Sequence, residues 1–211
     1  MSWGWIAEHF EQGGPWMWPI LVLSIVVWGI TVERFVYLFF KASVNAEVLV
    51  GTLQRTILGG ELQKAILIAS NSPSPLARIV HAGLLKVKGD SDEVQAAMDE
   101  AALRELPRVE KRTAYLAMLA NVAMLVGLLG TISGMITSFA AVANAEASEK
   151  AAELAKGIAE AMNCTAFGLI TAVPALLFYA ILQGKTQSIV DEINEGSLRV
   201  VNFVLANRSK L

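Results

Sequence analysis

Three long stretches of this chain carry no charged side chain, and that pattern dictates the solvent the fold must face. The first runs from Pro15 to Val32, meets Glu33 and Arg34, and resumes from Phe35 to Phe40. The second, Thr113 to Ala145, is 33 residues long, and the third, Ala161 to Gly184, is 24. About 18 predominantly apolar residues suffice to span a bilayer, so each run qualifies. At about 1.5 Å per residue the second would reach roughly 50 Å, beyond the roughly 30 Å hydrocarbon core, and it is expected to project into water at one end. Burying all three inside a soluble domain would need polar sequence to cover them. Yet 55% of the 211 residues are hydrophobic and only 17% charged, against about 25% charged in soluble domains. The expected fold class is an all-α membrane protein with three transmembrane helices, the second and third extended into a helical cytoplasmic region.

Lys and Arg set the orientation. Residues 1–16 contain none, whereas 41–112 hold ten. The positive-inside bias therefore predicts residues 1–14 as an outer, interfacial N-terminus, 15–40 as the first span and 41–112 as a cytoplasmic loop. It continues with 113–143 as the second span, 144–159 as an outer loop, 160–184 as the third span and 185–211 as a cytoplasmic helical tail. Arg34, Lys41, Lys111, Arg112 and Lys185, near the membrane ends, weigh most, because long loops dilute the rule. With no basic residue in its first 15 positions, the N-terminus lacks the n-region of a cleaved signal peptide, so the first span is expected to remain as an anchor. Trp3, Trp5, Trp16 and Trp18 suit an interfacial aromatic belt, and Trp28 lies deeper in the first span.

Between 44 and 112 apolar residues recur at helical spacing, broken at Gly59-Gly60, at Asn71 to Pro75 and at Lys88 to Asp90. Asp90 and Glu93 are spaced as a capping pair for a helix running to about Leu106, with Pro107 in the first turn of the next. No phosphate loop, Ser-His-Asp set or HExxH motif occurs, so no enzymatic activity is expected. His9 and His81 are separated in sequence and placed on opposite sides of the membrane. One cysteine, Cys164, excludes an intramolecular disulfide and a cysteine cluster for metal. A net charge of -2 gives no basis for nucleic-acid binding. No cofactor or metal site is expected.

The second and third spans carry small and weakly polar stripes. Met124, Gly127, Thr131, Gly134 and Ser138 share one helical face, and Gly130 with Gly134 forms a GxxxG pair that lets helices approach closely. Ala161, Thr165, Gly168, Ala172, Ala175 and Tyr179 repeat the pattern. Packing alone is one reading of both stripes, with Thr131 bonding to a carbonyl one turn back. Pro174 lacks an amide proton and frees the carbonyl of Ile170, which predicts a kink or a polar spot. Glu160 is expected to open the third helix at its positive dipole end. At about 100° per residue Glu160 and Thr165 lie about 140° apart, so they cannot serve one narrow partner. Within the three spans no acid sits near the middle, where it would cost roughly 2.5–3.5 kcal/mol and mark an ion pathway. Hydroxyls orient water or accept a hydrogen bond, but a transported proton must rest on an acid supplied by another subunit.

The run Gly127-Leu128-Leu129-Gly130-Thr131-Ile132-Ser133-Gly134-Met135-Ile136, followed by Phe139, resembles the second-span motif of the TolQ/ExbB/MotA proton-channel family. Gly157-Ile158-Ala159-Glu160-Ala161, then Thr165 to Leu169 and Ala172 to Ala175, resembles its third-span motif. The clearest match covers about Leu106 to Leu182. The resemblance implies a bacterial inner-membrane ring of five copies around the single-span helices of an ExbD/TolR-like partner whose membrane aspartate carries the proton. Thr131 and Thr165 would be the pore-facing hydroxyls beside that aspartate, Glu160 the acid near the periplasmic mouth, and Gly127, Gly130, Gly134, Gly168 and Pro174 the packing residues. Proton flow would drive rotation of the partner, coupled to a TonB- or TolA-like protein or to gliding machinery. Asn163 and Cys164 depart from the small apolar residues that the motif leads one to expect. The short N-terminus is more similar to TolQ than to an ExbB with an outer extension, and three spans speak against a flagellar stator. The alternative is a passive helical scaffold without ion conduction.

Overall fold

The computed structural model describes residues 9–42 and 46–207, and every regular element among them is helical. Helix α1, Met17–Val36, runs into a π-helical turn at Tyr37–Ala42. There follow α2, Ala46–Leu58; α3, Leu62–Asn71; α4, Pro75–Leu84; α5, Ser91–Glu110; α6, Thr113–Asn144; and α7, Lys150–Ala206. Among the described residues three helices are long and apolar enough to cross a membrane, one beginning at Met17 and the others lying within Ser91–Asn144 and Lys150–Ala206. The chain is thus an all-α membrane protein. Trp3 and Trp5 of the expected aromatic belt lie outside the described residues.

The chain divides into two compact units. One holds the described residues up to Val32 with Thr113–Ala180. Its helices bury a continuous seam. In α6 the buried residues are Thr113, Leu116, Ala120, Ala123, Gly127, Gly130, Gly134 and Ser138, spaced by three and four. In α7 they include Gly157, Ala161, Cys164, Gly168, Ala172 and Ala175, and in α1 Met17, Ile20, Val27 and Thr31. Such steps keep the buried residues on one face of each helix. The other faces of α6 expose Leu125, Leu128, Leu129, Ile132 and Ile136. A helix apolar all round suits lipid rather than water.

The second unit comprises Glu33–Arg112 and the described residues from Ile181 on. Helices α2 to α5 bury Leu53, Ile57, Ala65, Ile79, Val80 and Val94, while the later part of α7 buries Leu182, Ile189, Ile193, Val200 and Val204. Gly196 of α7 lies against Leu76 of α4, whose Cδ2 is 2.7 Å from where a Cβ would stand. Glu105 of α5 is buried and paired with Arg78 of α4 at 2.5 Å and with Arg108 at 2.7 Å.

Several boundaries differ from those expected. Pro107 lies inside α5, which continues to Glu110. It is exposed, and so is Leu103, so water can take the carbonyl that the ring frees. The chain instead breaks at Lys111 and Arg112, the latter with φ of 69°. Asp90 caps α5, its carboxylate accepting from the amide of Ser91 at 2.7 Å. Glu160 does not open the third helix. Residues 150–159 are mostly strong helix formers, so α7 begins at Lys150 and Glu153 stands in its first turn. Pro174 lies inside α7 without ending it.

Arg34, just past the first apolar run, is 3% exposed. Its Nη1 donates to the carbonyl of Val109 at 3.3 Å and more weakly to that of Arg108 at 3.5 Å. These belong to the last turn of α5, where carbonyls have no partner in their own helix. Beside them Arg112 Nη1 donates to both carboxylate oxygens of Glu33, at 2.6 and 2.7 Å. A residue 74 positions earlier thus caps α5. Arg34→Leu should lower the unfolding free energy by about 1.5–3 kcal/mol, the worth of a hydrogen bond to a charged group. Denaturant titration in detergent measures the loss, and Leu103→Ala, at a site 76% exposed, should cost under about 0.5 kcal/mol.

Candidate functional site

Helices α6 and α7 meet antiparallel through residues almost without side chains. A Cβ on Gly127 would stand 3.2 Å from the carbonyl oxygen of Cys164 and 3.3 Å from Cα of Gly168. A Cβ on Gly168 would stand 3.0 Å from the Ala123 carbonyl oxygen and 3.2 Å from Cα of Gly127. Further along, Gly134 faces Ala161, with 3.3 Å between its Cβ position and the Ala161 nitrogen. Gly157 faces Ser138, whose Oγ donates to the Glu153 carbonyl at 3.4 Å. Lipid offers no hydrophobic drive between helices, so close van der Waals packing of small residues must hold them.

The expected stripes need shifting. Met124 is 42% exposed; Ala123 takes the seam in its place. Gly130, not Thr131, occupies the buried position, and Cys164, not Thr165, fills the corresponding one on α7. The Cβ of Cys164 lies 3.0 Å from where a Cβ on Gly130 would be. Cys164 is 1% exposed and packs with Met17, Ile20, Trp16, Val126 and Phe167. Its larger side chain is therefore matched by a glycine opposite. Trp16, expected in the interfacial belt, also packs into this cluster, whereas Trp18 is 63% exposed.

Displaced to the flank of the seam, Thr131 and Thr165 are half-buried and touch each other through their hydroxyls. Thr131 Oγ1 lies 3.2 Å from the carbonyl oxygens of both Gly127 and Ala161. Thr165 Oγ1 lies 3.3 Å from the same Gly127 oxygen. Two hydroxyls carry two protons, so one donates to the other and the second proton goes to a carbonyl. Both directions are available. Thr131 can donate to Thr165, which donates to Gly127; alternatively Thr165 donates to Thr131, which donates to Gly127 or Ala161. In either arrangement the oxygens keep lone pairs for an outside donor. The pair can accept a hydrogen bond from an acid but cannot store a proton.

Glu160 is not brought to the threonines. It lies beside Gly14, whose φ is +73°, and the Glu160 Cδ is 2.8 Å from where a Gly14 Cβ would stand. A cavity of about 380 Å³ adjoins it, lined by Glu11, Gln12, Gly14, Lys156, Ala159 and Glu160. Sequence reasoning gives Gly14 no part, names Gly157 only inside the third-span motif and misses the seam role of Cys164. The last two were detectable from the four-three spacing of Gly157, Ala161, Cys164 and Gly168; Gly14 gave no periodic signal. No group of three His, Cys, Asp or Glu able to hold a metal occurs among the described residues. Pro174 is half-buried in α7.

Gly168→Ala should separate the two helices, because its Cβ would press on backbone rather than on movable side chains. The expected cost is about 1–3 kcal/mol, typical of overpacking. Gly184→Ala is the control. Nothing lies within 4 Å of a Cβ there, and alanine in a helix should stabilise by about 0.5–1 kcal/mol. Thermal unfolding of the two variants in detergent should therefore move in opposite directions.

The profile of the MotA/TolQ/ExbB proton channel family matches residues 71–195. An ExbB-like biopolymer transport protein of Synechocystis is 31% identical over 185 residues, covering 84% of this chain and 70% of the relative. The biopolymer transport protein ExbB of Salmonella typhimurium is 29% identical over 181 residues, covering 77% and 69%. The Tol-Pal system protein TolQ of Haemophilus influenzae is 38% identical over 93 residues, covering 44% and 40%. The profile takes in the whole glycine seam and both threonines, so this three-span chain belongs to the MotA/TolQ/ExbB proton channel family.

Proposed function

We propose that this protein is the channel-forming subunit of a motor driven by the proton-motive force. It couples H⁺ flow to mechanical work together with an ExbD/TolR-like single-span partner. The observation that carries the reading is the Thr131–Thr165 hydroxyl pair, joined through the Gly127 carbonyl in two spans that contain no Asp, Glu, His, Lys or Arg near their middle. Such a pair can receive a hydrogen bond from a protonated carboxyl and orient a carboxylate after the proton leaves. The titrating acid comes from the partner's membrane aspartate. Glu160 serves the periplasmic mouth, and Gly127, Gly130, Gly134 and Gly168 keep the hairpin thin enough for five copies to close into a ring. Each proton crossing 100 mV makes about 2.3 kcal/mol available, so several can drive rotation of the partner and work on a TonB-, TolA- or gliding-type machine.

The topology proposed places residues 1–14 in the periplasm, 15–40, 113–143 and 160–184 in the inner membrane, 144–159 outside, and 41–112 with 185–211 in the cytoplasm. The ten basic residues of 41–112 support it. One observation favours a second reading, a passive scaffold: both hydroxyls already have carbonyl acceptors within the chain. Valine substitutions separate the two. Thr131→Val and Thr165→Val should each reduce proton flux of the reconstituted complex by about tenfold or more while assembly is kept, given about 1.5–3 kcal/mol for a hydrogen bond to a charged group. The double variant should lose little more than either single one, because the two hydroxyls act as a unit. Unchanged flux with intact assembly supports the scaffold. The chain alone in liposomes should dissipate no pH gradient, as followed with a trapped pH-sensitive dye.

A further inference from the structure

Gly14 stands directly before the first span, in a backbone conformation that L side chains seldom adopt, with φ of +73°. Both of its unusual features concern one residue. Any Cβ at this position would fall on the carboxyl of Glu160, whose Cδ is 2.8 Å and Cγ 3.2 Å away. Neighbouring residues pin the segment. Phe10 meets Trp18 at 5.4 Å between ring centroids and Phe167 of α7 at 6.1 Å. Trp16 packs into the cluster of Met17, Ile20 and Cys164, and Gly13 donates its amide to the Phe10 carbonyl at 3.2 Å. The turn is thereby anchored to α7 on the side where Glu160 emerges.

We propose that Gly14 is a positioning residue for Glu160: its bare, left-handed backbone holds the carboxyl against one wall of the outer cavity. This deepens, and rests on, the reading that Glu160 serves the proton path. The placement of the acid is then set by the segment ahead of the first span as much as by its own helix. Glu11 and Lys156 are the other charged groups that line the cavity, and Lys156 sits one turn before Glu160 on α7. The carboxyl lies against Gly14 while still open to the cavity.

In the unmodified full chain in lipid nanodiscs, solid-state NMR should show a through-space correlation between Cα of Gly14 and Cδ of Glu160; its absence would overturn the proposal without any variant having to fold. Labelling of Glu160 by a water-soluble carbodiimide, read at that residue by mass spectrometry, should rise severalfold in Gly14→Ala. It should rise equally in Gly14→Asn, because asparagine tolerates the left-handed backbone but carries the Cβ. Gly13→Ala, whose Cβ meets only the flexible side chain of Met17, should leave labelling unchanged. If Gly14→Asn labels like the unmodified chain, or Gly13→Ala like Gly14→Ala, the missing Cβ is not what positions the acid. With the partner present, Gly14→Ala should lose proton flux, and adding Glu160→Asp, one methylene shorter, should restore part of it. Failure of that rescue overturns positioning. Full flux in Glu160→Gln would instead sink the role of Glu160 in conduction while leaving the labelling result intact.

Discussion

The contact between the backbones of α6 and α7 at Gly127 and Gly168 governs the site. Two helices in lipid gain nothing from burying apolar surface against each other, so their association depends on dispersion at short range and falls off steeply with separation. Larger residues at these positions would push the axes apart and take the Thr165 hydroxyl out of reach of the Gly127 carbonyl on the facing helix, now 3.3 Å away. The shared acceptor exists only because both glycines are present. Packing and chemistry are therefore one constraint, and a residue that fills the seam is also a residue that disassembles the hydroxyl pair.

At the ends of the apolar runs the links change character. Arg34 reaches the last carbonyls of α5 and Glu33 holds Arg112, while Glu160 lies against Gly14. Charged groups are costly in mid-bilayer and far less so toward its edges, so long-range polar connections concentrate there. They also span the largest distances in sequence. Arg34 and Val109 are 75 positions apart, too far for any local propensity to bring them together, so such links fix how distant segments meet rather than how each one folds.

Legibility follows from which physics is local. The uncharged runs announce helices in lipid because hydropathy is a sum over neighbours, and the glycine-rich spacing of 127–138 announces a close contact for the same reason. The phase of that contact was less legible. The stripe through Met124, Gly127, Thr131, Gly134 and Ser138 and the buried set Ala123, Gly127, Gly130, Gly134 and Ser138 both advance by threes and fours, so spacing alone does not choose Ala123 over Met124 or Gly130 over Thr131. Glu160 shows another limit: Ala, Leu, Lys and Glu in 150–159 extend α7 backwards whether or not they lie in lipid, so the helix start does not coincide with the start of the apolar run. Gly14 could not be found from sequence at all. Its significance lies in a left-handed turn and in a carboxyl 146 positions away, and neither leaves a periodic trace.

On the proposed reading, the absence of a central acid is itself part of the mechanism. A neutral hydroxyl pair with carbonyl acceptors lets the hairpin insert and pack before any partner arrives, at none of the roughly 2.5–3.5 kcal/mol that a mid-membrane carboxyl would add. In a ring of five, acids borne by this chain would also crowd five like charges around one axis, each raising the others' proton affinity. Placing the acid on a partner reduces the number of titrating groups and makes their position depend on rotation. The ring then supplies equivalent acceptor sites, and the directional choice within each Thr131–Thr165 pair lets the same two hydroxyls meet a protonated acid before its proton leaves and a carboxylate afterwards. On this reading conduction is coupled to movement because neither component holds both the proton and the place where it is handed on.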